Sequence, residues 1–215
     1  MTRQAVRGMQ MDWNRRDFLG AAALVALAAG LPSAAVVLDG TSGADAPSAR
    51  QRQVMAEVAE RVIPATDTPG GAATGTGDFV LLALAHGLED SRAPVSAEAV
   101  TADLRSHLRN DGSLDYAAWL ERTLDQAAGG DWLGWPVDNR QAALVELDAV
   151  AFGQGNDAHP WRKVKALILT GYYTSEAGGS QELAYAPVPG RWDPAVPVTP
   201  GMRAYSNDWT GVDFG

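Results

Sequence analysis

Residues 159–192 read HPWRKVKALILTGYYTSEAGGSQELAYAPVPGRW. The stretch opens as a helix: Pro160 stands where a first turn accepts proline, and Asp157 precedes it as a candidate cap. Val164, Leu167 and Ile168 follow at helical spacing and make one apolar stripe, while Arg162, Lys163 and Lys165 keep other directions charged. After Glu176 the periodicity stops. Residues 177–215 hold five prolines and six glycines, with Tyr185, Trp192, Tyr205, Trp209 and Phe214 spread among them. Prolines oppose both helix and sheet, yet a flexible polar linker would not carry so many aromatics. An irregular aromatic tail needs a surface to lie on, and another subunit would supply one.

Working towards the N-terminus, each segment reads as helix, turn or linker. Ser48 caps a helix that runs through Val62 and aligns Val54, Val58 and Val62; Ile63-Pro64 ends it. The turn-rich loop ATDTPGGAATGTGD follows. A second helix begins near Asp78, with Phe79, Leu82, Ala83 and His86 on one face. Ser96 caps a third, carrying Val100, Leu104 and Leu108. Asn110-Asp111-Gly112 is a sharp turn before a fourth helix with Tyr116, Leu120 and Leu124 aligned, which Gly129-Gly130 stops. A fifth, near Asn139 to Ala151, buries Leu144, Leu147 and Ala151. No long period-2 strand is visible. The expected fold is all-α, a small bundle of five or six helices after an N-terminal signal helix, ending in an irregular Pro/Gly/aromatic tail. The expected divisions are a signal segment at 1–35, a linker at 36–47, a helical domain at 48–176 and a partner-binding tail at 177–215.

The 215 residues suit one domain with appendages. Net charge is −9. Four of the 17 basic and two of the 26 acidic residues lie in 1–35, so the remainder carries −11. Such an acidic body argues against nucleic acid, which needs a basic face. The chain has no cysteine, so it forms no disulfide, holds no ordinary iron–sulfur cluster and attaches no haem covalently. At the N-terminus Arg15-Arg16 is followed by Asp17, Phe18, Leu19 and an Ala/Leu run to Leu31. This has the form of a twin-arginine export signal, too short to span a bilayer comfortably.

Motifs for chemistry are sparse. His86, His107 and His159 form no HExxH or i, i+4 pair, so zinc lacks its ligands. His86 reads as a satisfied core residue and His159 as a helix-start contact. Gly75-Thr76-Gly77 falls short of a dinucleotide fingerprint, since Val80 stands where glycine is needed and no strand precedes it; it reads as the flexible start of a helix. Asn110-Asp111-Gly112 fails as a calcium loop, with His107, Arg109 and Ala118 at ligand positions. No Gly-x-Ser-x-Gly elbow is present. Glu176 and Glu182 flank Gly178-Gly179 and leave open a lone exported enzyme working through acidic residues. The exposed tryptophans leave open a sugar-binding module. Trp161, Tyr172 and Tyr173 suit either an interface hot spot or the packing of the last helix.

Three segments together, RRDFL at 15–19, VIPATDTPG at 62–70 and the 159–192 stretch, resemble the gluconate 2-dehydrogenase subunit 3 family over roughly residues 13–197. The resemblance implies a non-catalytic small subunit of a bacterial flavin-dependent sugar or polyol dehydrogenase. On this resemblance the chain binds no cofactor itself, and FAD and any iron–sulfur cluster are expected in a large flavoprotein catalytic subunit. The resemblance further implies that the small subunit escorts that partner through the twin-arginine translocase by means of Arg15, Arg16, Phe18 and Leu19. It is expected to clamp the partner through His159, Trp161, Arg162, Tyr172, Tyr173, Glu176, Tyr185, Pro189 and Trp192. The same resemblance implies a periplasmic complex, membrane association through that complex, and a cytochrome c electron acceptor. The 70–77 loop is richer in glycine than the family pattern.

Overall fold

A computed structural model describes residues 46–185, 195 and 197–206. Among these, six α-helices, short 3-10 turns, one π-helical turn and two three-residue strands account for the regular structure. Helix α1 (Ala49–Val62) starts on a reciprocal cap: Ser48 Oγ accepts from the Gln51 amide at 3.0 Å, and Gln51 Oε1 accepts from the Ser48 amide at 2.8 Å. Its buried face is Val54, Met55, Val58 and Ala59. Helix α2 (Thr76–His86) is the centre of the molecule. Phe79 to Leu84 are all buried, so the one-sided face expected here gives way to a helix covered on every side. α1 and α6 supply most of that cover. Gly77 is where α1 passes closest, since a Cβ there would sit 2.8 Å from the Ala56 amide nitrogen. It serves close helix packing rather than flexibility. His86 is exposed at the end of α2, and is not a core residue.

The third helix expected from Ser96 to Leu108 does not form as one piece. A 3-10 turn covers Ala97–Ala99, Val100 is extended, and Thr101 caps a fresh helix, α3 (Ala102–Arg105), by accepting from the Leu104 amide. Leu108 instead faces Leu114, and Pro94 faces Ser113, in antiparallel bridges around the Asp111-Gly112 turn. A β-branched residue followed by a strong cap breaks the helix there. Helix α4 (Tyr116–Ala128) runs from the Asp115 cap to left-handed Gly129 and buries Trp119, Leu120 and Leu124. Arg50 of α1 grips it, with ion pairs to Glu121 at 2.9 Å and Asp125 at 2.7 Å. Helix α5 (Val137–Ala151) starts two residues ahead of the expected position and buries Leu144 and Ala151.

Helix α6 (Pro160–Tyr173) has proline in its first turn as read, but its cap is His159. Asp157 remains exposed and pairs with Arg162 at 3.3 Å. The tail is less irregular than its composition suggested. Gly178–Glu182 makes a π-helical turn, and β1 (Leu183–Tyr185) pairs in parallel with β2 (Ala204–Ser206), with Leu183 opposite Ala204 and Tyr185 opposite Ser206. The tail prolines fall between the two strands, where they cost no ladder hydrogen bond. A parallel pair needs a long connection, and the proline-rich stretch provides it.

Candidate functional site

Helix α6 and its two ends organise the surface of interest. Val164, Leu167 and Ile168 are fully buried against the bundle. Trp161 is 1% exposed, and its indole N–H donates to Asp148 Oδ1 of α5 at 2.7 Å. Lys165 Nζ donates to the same oxygen at 2.7 Å. Partial burial pushes the Asp148 carboxyl up, but the bonds from Lys165 and Trp161 outweigh it and hold the group below its usual range. Arg162 donates to the Ala151 carbonyl at 3.2 Å, and its guanidinium lies 4.6 Å from the Phe152 ring centroid. Lys165 approaches the same ring at 4.9 Å. Arg162 and Lys165 therefore join α6 to α5, while Lys163 reaches the other way, donating to the Glu89 carbonyl and lying 6.0 Å from the Tyr116 ring centroid.

At the start of α6, His159 Nδ1 accepts from the Trp161 amide at 3.2 Å, which assigns the proton of the neutral ring to Nε2. Burial, then the nearby Arg162, holds the imidazole below its ordinary pKa. Its ring meets Trp119 edge-on at 5.7 Å. The bonds around His159 make it a cap.

The other end of α6 joins two segments that are far apart in sequence. Tyr172 is 1% exposed, and its hydroxyl donates to the Pro69 carbonyl at 3.0 Å. Thr68 Oγ1, 3.4 Å from that hydroxyl, donates to Glu182 Oε2 at 2.7 Å. The TDTPG loop, the end of α6 and the tail turn are thus one bonded unit. Glu60 steadies the loop by accepting from the Ala65 and Ala72 amides at 3.0 and 3.1 Å. Ser175 Oγ donates to the Tyr172 carbonyl and accepts from the Gly178 amide at 3.1 Å, which turns the chain into the π-helical segment.

The profile of the gluconate 2-dehydrogenase subunit 3 family matches residues 49–190. The chain belongs to that family. No curated protein and no solved structure is detectably similar to it. The matched span runs from the first residue of α1 through the loop, α6 and the tail turn, so the bonded unit lies within it. Membership of a subunit 3 family implies a catalytic partner in a dehydrogenase complex. Among the described residues no group of three or more His, Asp or Glu side chains is placed to hold a metal ion.

The residues read from the sequence as contacts in this subunit 3 chain divide by position. Trp161 and Tyr172 lie in its core, where they pack α6 onto the body. Arg162 is half-buried on Phe152, while Tyr173 and Glu176 are exposed. Tyr185 contributes backbone to β1. Pro189, Trp192, Arg15, Arg16, Phe18 and Leu19 lie outside the described residues. Other residues escaped the sequence reading. Leu169 is 39% exposed one turn before Tyr173, at 40%, and Val145 of α5 and its cap Phe152 are 58% and 50% exposed. Leu169 and Tyr173 fall four apart on α6, and Val145 lies seven residues before Phe152, the cap that ends α5, so each pair shares a face. Arg162 belongs to the first row and stacks on Phe152 of the second, so the rows adjoin. Their spacing was in the sequence, but the stripe facing the core was the stronger pattern.

Proposed function

We propose that this chain is the non-catalytic small subunit of a periplasmic flavin-dependent sugar or glycoside dehydrogenase, and that it docks its catalytic subunit on the outer face of α5 and α6. The observation that carries this reading is the pair of adjoining apolar rows, Val145 with Phe152 and Leu169 with Tyr173, on a chain that is otherwise acidic. Large side chains left uncovered side by side, with an arginine among them, have the composition of an interface core. The tail departs from the same end of α6, so partner and tail meet there. Arg15-Arg16 supports an export role in which the complex is carried by this chain's signal through the twin-arginine translocase. FAD would reside in the partner, and electrons would leave through a cytochrome c.

The test is co-purification. A tagged chain isolated from its host is expected to bring down a much larger yellow subunit that reduces a dye when given sugars. A colourless, solitary chain would overturn the proposal.

A further inference from the structure

Between the 96–104 segment, α4 and the connection that leads into α6 through His159, the chain forms an open groove of about 470 Å³. Its floor is apolar and buried: Leu104, Trp119 and Pro160. Its rim carries the exposed carboxylates of Glu98 and Asp103, and no lysine or arginine lines it. An apolar floor under an acidic rim suits a long side chain with a hydrocarbon stem and a cationic head. Arginine and lysine both offer this combination, and of the two residues 1–35 hold only arginine.

We infer that this groove binds the chain's own Arg15-Arg16 pair. Charge favours it: four arginines lie in residues 1–35, ahead of a body that carries −11. Position favours it too. The chain joins the body just before Arg50, which is bonded to Glu121 and Asp125 on one face of α4, and the groove residue Thr123 lies on the opposite face of the same helix. The groove is therefore about one helix width, ~10 Å, from where the N-terminal segment arrives. The roughly 30 residues between Arg16 and Ala46 reach up to about 100 Å, far more than needed. Tethering supplies an effective concentration near millimolar, so ion pairs that are individually weak suffice. An occupied groove withholds the arginine pair from any receptor for it. The inference concerns this chain alone and stands or falls independently of the partner reading.

A protein without cysteine makes the test clean. Asn14→Cys is combined with Thr123→Cys in the full chain, its intact N-terminus confirmed by mass, and cross-linked at high dilution with a short bismaleimide. Asn14→Cys with Ser180→Cys, exposed on the tail turn, is the control. The expected result is a 14–123 cross-link about tenfold faster than 14–180. It should fall to the control rate with Glu98→Gln/Asp103→Asn, or in 1 M salt, where screening acts within about 3 Å. Both carboxylates are exposed, so that variant keeps its core. As a second readout, the single thiol of the Thr123→Cys variant should react with a maleimide dye faster once Arg15 and Arg16 are changed to glutamine. Equal cross-linking at the two sites, or rates indifferent to the carboxylates, would overturn the inference.

Discussion

Gly178→Ala probes the junction on which the tail depends. A Cβ at this position would stand 2.0 Å from the Tyr172 carbonyl oxygen and 2.9 Å from the Tyr173 Cα, whereas ordinary contact begins near 3.4 Å. Both obstacles are backbone, so no side chain can swing aside; the turn itself must move by more than 1 Å. That movement strains the bond from the Gly178 amide to Ser175 Oγ (3.1 Å) and the bond from the Gly179 amide to the Ser175 carbonyl (2.8 Å). Overpacking of this kind costs about 1–3 kcal/mol, and each weakened hydrogen bond about 1 kcal/mol. With partial relaxation the expected loss is about 3 kcal/mol, or about 6–12 °C in Tm for a chain of this size. Gly179→Ala is the internal control, because its Cβ would meet the Tyr173 carbonyl at 3.3 Å, a tight but tolerable approach. Thermal unfolding followed by circular dichroism measures both. Equal Tm values for the two variants would refute the reasoning that Gly178 is required by close backbone approach.

Other outcomes follow from the same geometry. The Asp148 carboxyl titrates below its usual value in the folded chain, so it stabilises the protein above pH ~4 and loses that contribution as pH falls through the lowered pKa. Asp148→Asn should therefore cost about 1 kcal/mol at pH 7, after discounting a charged hydrogen bond for partial exposure, and the gap should close below pH 4 in urea titrations. Deleting Ala184–Gly215 should leave the helical body folded by circular dichroism while abolishing co-purification of the catalytic partner. Replacing Arg15 and Arg16 by lysine should leave that partner in the cytoplasm, as read by fractionation and dye-linked activity.

Helix boundaries were legible wherever a cap or breaker is local. Ser48, Gly129 and Pro160 each announce a terminus through chemistry confined to the residue itself and its neighbours. What escaped depends on distant contacts. Phe79 to Leu84 carry no one-sided pattern because α2 is covered all round, and periodicity reports only a boundary between core and water. Val100, Leu104 and Leu108 share a spacing that suits a helix, yet Thr101 restarts the chain and Leu108 joins a hairpin with Leu114. Strands of three residues joined across a long proline-rich connection have no local signal. At the site, VIPATDTPG and the 159–192 stretch were each recognisable, but nothing in either predicts that Thr68 bonds Glu182 or that Tyr172 bonds Pro69. Aromatic type alone could not separate Trp161 and Tyr172, which serve the core, from Tyr173, which faces out, because cores and interfaces favour the same side chains.

The docking face is tested most directly by Leu169→Glu/Tyr173→Glu in the tagged chain, with the bound catalytic subunit read from the preparation's flavin absorbance and subunit sizes. Leu169 and Tyr173 are 39% and 40% exposed, and the Tyr173 ring also meets Tyr172 edge-on at 5.2 Å, so the variant should stay folded with a Tm a few degrees below that of the native chain. The account predicts a folded small subunit that no longer retains the large yellow one. A variant that still purifies with its flavoprotein partner at full occupancy would contradict it.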